Sequence, residues 1–229
     1  MANFNTHITV GAVASGVGAT ATLATGIAEP NELLALASAG VIGSILPDID
    51  QDKGAPLHFL FGVLGLSLAF AVVLNIHGLP LLALLAIWMA VFGGVSFVLL
   101  HVFTRYTAHR GIWHSGLAAL LFAAVTVATL NRVFGASPSA AWLGGAFMAL
   151  GYLVHLTLDE IFSIDIHGRR LKKSWGTALK LYDYRHPVNS GIMAGFVLAL
   201  LFAAPSPRSL VQAVHAADAH QHWDFNSPP

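Results

Sequence analysis

Histidines and aspartates lie at the ends of long apolar runs in this chain, where a polar group without a partner costs several kcal/mol. The set comprises His7, Asp48, Asp50, His109, His114, His155 and Asp159. Imidazole and carboxylate are the ligand types that bind hard and borderline divalent ions. Cysteine is absent, so thiolate metal sites and disulfides are excluded. The residue types therefore predict a metal site built from histidine and aspartate.

The first acidic motif is Leu-Pro-Asp-Ile-Asp, with Asp48 and Asp50 directly after Pro47. The proline is expected to end a helix and to favour extended backbone. Carboxylates two residues apart in an extended segment point the same way, so they could share one cation or hold two adjacent ones. A calcium-binding loop is excluded because Lys53 occupies the position that requires glycine. The alternative is a hydrophilic turn with solvated acids.

The second motif is His-Arg-Gly-Ile-Trp-His, from His109 to His114. A spacing of five would put the two rings on different faces of a regular helix. We therefore expect His109 in a loop and His114 in the first turn of the next helix, with both rings directed at one centre. The alternative is that these residues and Trp113 anchor the chain at the membrane interface.

The third motif, His155-Leu-Thr-Leu-Asp159, is an i, i+4 pair near the end of an apolar helix. Both side chains share one helix face. Asp159 is then either a second metal ligand or the acceptor that fixes the tautomer of His155. A simple His–Asp hydrogen bond is the alternative.

A basic segment follows, and four of its residues are candidates for binding anionic headgroups or a substrate phosphate. They are Arg169, Arg170, Lys172 and Lys173. The alternative is that these charges only determine topology. Residues 182–187 are expected to cap the site where the chain re-enters the membrane.

Composition decides which elements position these residues. Of 229 residues, 56% are hydrophobic and 10% charged, the mean hydropathy is +0.71, and the formal charges cancel. These values exclude a typical soluble domain and a nucleic-acid binder. The apolar runs, measured against the roughly 20 residues that span a bilayer, predict an all-α polytopic bundle of about seven transmembrane or re-entrant helices. The predicted runs are 8–28, 33–46, 59–76, 79–103, 112–130, 140–158 and 190–204. Residues 1–204 are expected to form one membrane domain, and 205–229 a flexible polar tail containing histidines.

The positive charges orient this bundle. With a cytoplasmic N-terminus, nine Lys and Arg residues lie in cytoplasmic loops and only Arg132 and Arg208 lie outside. The same topology puts all seven candidate ligands on the cytoplasmic side. Segments distant in sequence are thus expected to meet at one depth.

The order of these motifs, after an early histidine, resembles the YdjM-like inner-membrane proteins, described at family level as metal-dependent hydrolases. The resemblance covers roughly residues 1–204. It implies that the seven histidines and aspartates form the metal site and that the chain lies in a bacterial inner membrane. More loosely, the arrangement resembles the all-helical zinc-dependent phospholipase C class. The long basic segment from Ser163 to Pro187 departs from the family pattern.

The expected function is a membrane-embedded hydrolase that uses a metal-activated water on a lipid or lipid-linked phosphoester at the cytoplasmic leaflet. One or two divalent ions are expected, zinc first, with manganese, magnesium and iron as alternatives. His109, Asp50 and Arg110 are the predicted catalytic residues, with His109 as general acid or base and Arg110 neutralising phosphoryl charge. The rival hypotheses are a divalent-metal or proton transporter, and a non-catalytic scaffold with a structural metal.

Overall fold

The computed structural model describes residues 3–50, 55–106, 112–165, 170–171 and 179–226. Its α-helices are α1 Phe4–Ala24, α2 Leu33–Gly43, α3 Ala55–Leu74, α4 Leu81–Gly93, α5 Leu100–Tyr106, α6 Gly116–Arg132, α7 Pro138–Ile161, α8 Pro187–Ala203 and α9 Arg208–Asn226. A 3-10 turn covers Leu46–Asp50 and a π-helical turn covers Gly94–Leu99. Strands β1, Ile164–Asp165, and β2, Arg170–Leu171, pair antiparallel. The predicted all-α membrane bundle is confirmed apart from this short ribbon.

The described residues contain three helices that are long and apolar enough to cross a bilayer. They are α1, the continuous Leu81–Val102 and α7, and the bent pair α8–α9 would make a fourth. The predicted count of seven is therefore not confirmed. Helix α2 has 11 residues, or about 17 Å at 1.5 Å per residue, which is about half of a 30 Å hydrocarbon core.

The chain folds as two compact units. The first unit contains residues 1–47 and 114–229, and therefore α1, α2 and α6 to α9. The second unit contains residues 48–113, with α3, α4, the π-helical turn and α5. Inside the second unit, the Ser96 hydroxyl donates to the Phe61 carbonyl at 3.2 Å. The Trp88 ring stacks on Phe92 with 5.3 Å between ring centroids.

Helix α7 is the centre of the first unit and contacts α1, α2, α6 and α9. Helix α7 can approach α2 closely because glycines lie at the contact. A Cβ on Gly151 would overlap the Gly40 carbonyl, and a Cβ on Gly43 would overlap the Met148 carbonyl. Small residues allow such backbone contact between membrane helices, where dispersion and polar contacts replace the hydrophobic driving force. The glycines thus set the distance between the two helices that carry the site.

Helix α1 packs through one stripe of residues four apart. His7, Gly11, Ser15 and Ala19 are its buried residues, as expected for one face of a 3.6-residue helix. Three of them are small, which lets α1 approach α2 closely: a Cβ on Gly11 would overlap the Ser44 side chain. This close approach brings the remaining residue of the stripe, His7, into the interior.

The end of α8 and the segment after it are hydrogen-bonded to α6 and α7. Trp142 Nε1 donates to the Pro205 carbonyl at 2.8 Å, and Arg132 donates to the Ala203 carbonyl at 2.7 Å. The chain then bends by 77° and continues as α9. The structure has a helix over 208–226 whose Leu210 packs against the core cluster that contains Phe147. The flexibility expected for the tail from residue 205 stays a prediction.

Candidate metal centre

Three buried imidazoles converge on one buried carboxylate in the first unit. His7 Nε2 lies 3.2 Å from Asp159 Oδ1, and His114 Nε2 and His155 Nε2 each lie 3.7 Å from Asp159 Oδ2. All four residues are at most 4% exposed. Groups of this kind are not left in a low-dielectric interior without compensation. The set therefore needs a shared cation or shared protons.

Two antiparallel helix ends bring the rings together. His7 lies in the first turn of α1, which begins after the N-cap Asn3, and His155 lies near the end of α7. The two imidazole rings stack with centroids 3.6 Å apart and planes within 9° of parallel. His155 and Asp159 share one face of α7, as the i, i+4 spacing predicts. The predicted meeting of the early histidine with this pair is what the structure shows.

The tautomer of His155 is fixed by a backbone carbonyl. Its Nδ1 lies 2.7 Å from the oxygen of Ser44, the residue that caps the C-terminus of α2. A carbonyl only accepts, so Nδ1–H donates, and in the neutral ring the lone pair then lies on Nε2, the atom on the side of Asp159. This is the arrangement of a metal-binding histidine, in which the second ring nitrogen is held by an acceptor. Of the two roles left open for Asp159, the tautomer-fixing role belongs to Ser44.

His114 lies just before α6, so its predicted place in the first helical turn is wrong. Ser115 is the N-cap, and its hydroxyl accepts from the Ala118 amide at 3.3 Å. Serine is preferred there because it satisfies an amide that the helix leaves unpaired. The segment is fastened by amides of Gly116 and Leu117 that donate to the Lys180 and Leu181 carbonyls, both at 2.9 Å. His114 therefore has a fixed position outside a helix.

Asp48 is the fourth member of the candidate metal group. Asp48, His114, His155 and Asp159 are buried and each offers a ligand atom within 4.8 Å of the others. The predicted extended geometry is wrong, because Asp48 lies in the 3-10 turn Leu46–Asp50. A proline is tolerated near the start of such a turn, where its missing N–H would have no partner. The Asp50 side chain lies outside the described residues, so its pairing with Asp48 stays a prediction.

The donor set fits a divalent ion. Two ligands at 2.0–2.2 Å from one ion are at most about 4.4 Å apart, so atoms within 4.8 Å need only small side-chain movements. Imidazole and carboxylate suit zinc, iron and manganese, and carboxylate alone would suit magnesium. The buried group of Asp48, His114, His155 and Asp159 could therefore hold a metal ion.

Other predicted site residues are not described. His109, Arg110, Arg169, Lys172 and Lys173 lie outside the described residues, and Arg170 is described only as backbone in β2. Their catalytic and substrate-binding roles stay predictions. His7, outside the four-residue group, is buried beside it and faces Asp159.

A further buried acid, Asp183, anchors the loop before α8. His186 Nδ1 donates to its Oδ2 at 2.9 Å, and Lys180 Nζ and the Arg185 amide donate to its Oδ1, both at 3.3 Å. Burial raises the pKa of Asp183, but the hydrogen bonds from His186 and Lys180 lower it by more, so the pKa lies below the ordinary 3.8. Its two side-chain donors lie three residues before and after Asp183, a spacing that is a signal for this cluster in the sequence.

Replacement of Asp183 by asparagine is expected to destabilise the protein by about 1–3 kcal/mol at pH 7, since hydrogen bonds to a charged group are lost. A depressed pKa contributes stability that is present above the unfolded value and lost as the pH falls through the folded one. The difference between wild type and variant should therefore shrink below about pH 4. Chemical unfolding at both pH values measures it, with exposed Glu29→Gln as the control. An equal difference at both pH values would contradict the assignment.

The sequence comparison agrees with the motifs. The model of the family described as YdjM inner membrane protein matches residues 1–204 of the 229. Searches of curated proteins and of solved structures give no match. The family description confirms an inner-membrane location, and the cytoplasmic N-terminus stays a prediction. Because the match covers most of its length, the chain belongs to the YdjM inner membrane protein family.

Proposed function

We propose that the protein is a membrane-embedded, metal-dependent hydrolase that acts on a lipid or lipid-linked phosphoester. The observation that carries the proposal is the convergence of three imidazole Nε2 atoms on Asp159, with the His155 tautomer set by the Ser44 carbonyl. A neutral imidazole lone pair beside a carboxylate is repulsive unless a cation lies between the two groups, and a purely structural role would not supply that cation. Ligand preorganisation of this kind is typical of metal sites.

The chain's residues divide the work. His114, His155, Asp159 and Asp48 would hold the ion. A divalent ion, zinc in our proposal, would supply Lewis-acid chemistry and lower the pKa of a bound water. His7, whose Nε2 contacts Asp159 Oδ1, would orient that carboxylate or transfer a proton. The stacking of the His7 and His155 rings fixes the position of each imidazole relative to the other.

The depth of the site supports a lipid substrate. His7 lies at the start of α1 and Asp159 lies in the last turn of α7, so the ligands gather at the ends of two candidate spans. Helix ends lie near the headgroups, where the phosphoester bonds of lipids are found. A water-soluble substrate would need no such placement.

The proposal is tested by metal analysis together with hydrolysis. Purified wild type should retain a divalent ion and hydrolyse phosphodiester or phospholipid substrates, and His155→Ala should lose both. His77→Ala is the matched control because His77 is an exposed histidine in the second unit. Metal in the wild type without hydrolysis of any phosphoester would support the non-catalytic scaffold instead. A wild type that binds no metal in any preparation would overturn the proposal.

A further inference from the structure

An apolar cavity lies beside the start of α6, within the first unit. Its volume is about 410 Å³, and its walls come from α6, α8 and the loop between Leu181 and Pro187. Leu117 and Leu120 form one side, and Gly191 and Ala194 the other. Ligand pockets commonly have volumes of about 300–1,000 Å³. The cavity is large enough for part of an extended hydrocarbon chain.

The cavity offers almost no polar atom to a ligand. Among the lining residues that the structure describes, Ser190 and Tyr182 carry the hydroxyl groups, and that of Ser190 is already engaged. Its oxygen accepts from the Asp183 amide at 3.2 Å and its hydrogen goes to the Asp183 carbonyl at 3.1 Å. A ligand in the cavity is therefore bound through apolar contact, which favours an alkyl chain over a sugar or a peptide backbone.

The loop that closes one end of the cavity carries a net positive charge. This loop, residues 180–187, contains the basic residues Lys180, Arg185 and His186 and the single acid Asp183. Its residues Leu181 and Pro187 line the cavity. Asp183 is buried and holds Lys180 and His186 in place, while Arg185 is exposed. A rigid cationic loop next to an apolar cavity is complementary to a molecule with a hydrocarbon chain and an anionic head.

We infer that this cavity binds one acyl chain of an anionic phospholipid, with the Lys180–His186 loop against its headgroup. The start of α6 connects this site to the metal centre, because Leu117, in the first turn of α6, lies only three residues after His114. The inference rests on the proposed function only in that the bound lipid is the hydrolase's substrate. Binding itself requires no hydrolysis.

Gly191 provides a selective test of the cavity. Nothing lies within 4 Å of a Cβ built on Gly191 or on Gly195, one turn further along α8, yet only Gly191 lines the cavity. Gly191→Trp should fill the cavity without displacing the helix, and Gly195→Trp adds the same side chain outside it. Gly191→Leu is a second, smaller variant for the case that tryptophan prevents folding.

Lipid binding is measured by native mass spectrometry of the full chain in detergent, with added palmitoyl-oleoyl phosphatidylglycerol. Gly191→Trp should weaken binding about tenfold, since a filled pocket loses its shape complementarity, and Gly195→Trp should bind like wild type. Phosphatidylcholine should bind more weakly than phosphatidylglycerol, and Arg185→Gln should reduce that preference. Inorganic phosphate should not displace the lipid.

The outcomes separate this inference from the proposed function. Equal lipid binding by the two tryptophan variants, displacement by inorganic phosphate, or no preference for the anionic lipid would each overturn the inference. Metal content and hydrolysis are measured on the same preparations. Lipid binding in the cavity without any hydrolysis would contradict only the proposed hydrolase activity. Undiminished hydrolysis by a folded Gly191→Trp variant would contradict the assignment of the cavity as the substrate site.

Discussion

Asp159→Asn is expected to abolish retention of a divalent ion during purification and to lower its affinity by at least about a hundredfold. Asp159 faces all three buried imidazoles, at 3.2–3.7 Å. Asparagine keeps the shape but removes the negative charge that compensates a cation in a low-dielectric site. Mutation of a residue that only hydrogen-bonds to a metal ligand already lowers metal affinity about 10–100-fold. Loss of the shared carboxylate should therefore lower the affinity by at least the upper end of that range. Competition with a fluorescent zinc chelator measures the affinity.

Asp183→Asn is the matched control for this experiment, because it replaces a buried acid outside the candidate group. It should reduce stability and leave the metal affinity within about threefold of wild type, because the donors to its carboxylate, Lys180, Arg185 and His186, are not members of the metal group. Loss of hydrolysis should follow the loss of metal in Asp159→Asn. If Asp159→Asn kept full metal occupancy, the retained ion would bind elsewhere in the protein. The converging histidines would then form a proton-sharing cluster rather than a metal site.

The His155–Asp159 pair could be predicted from sequence because its geometry is local. An i, i+4 spacing on a helix determines that the side chains meet, whatever surrounds them. The approach of His7 was predictable through topology, since charge bias assigned both helix ends to one side of the membrane. The family match to residues 1–204 agrees with the order of the motifs.

Other features of the site depend on contacts that leave no pattern in one sequence. The acceptor for His155 is the Ser44 carbonyl, and every residue has a carbonyl. The place of His114 depended on whether Ser115 capped α6 or continued it, a choice that shifts a helix boundary by one or two residues. The turn at Asp48 was mistaken for extended backbone because Pro47 permits both. The glycines of α2 and α7 were visible, but their pairing across the two helices was not.

Gly151→Ala tests whether the contact between α2 and α7 holds the metal centre together. The new methyl group would overlap the Gly40 carbonyl and lie 2.9 Å from the Ser44 amide. Alanine is intrinsically favoured over glycine in a helix by about 1 kcal/mol. Backbone atoms cannot move aside as a side chain can, so we expect a net loss of about 3 kcal/mol in unfolding free energy. Denaturation in mixed detergent, followed by circular dichroism, measures it.

Gly16→Ala on α1 is the control, because nothing lies within 4 Å of its Cβ. Its stability should stay equal or rise by up to about 1 kcal/mol. The two variants should also differ in metal affinity. Displacing Ser44 in Gly151→Ala moves the carbonyl that holds His155 Nδ1 at 2.7 Å, and loss of such an outer partner costs about 10–100-fold in affinity. A destabilised Gly151→Ala with unchanged metal affinity would show that His155 is a ligand without help from α2. Joint loss of stability and affinity, absent in Gly16→Ala, would make the glycine contact part of the metal site.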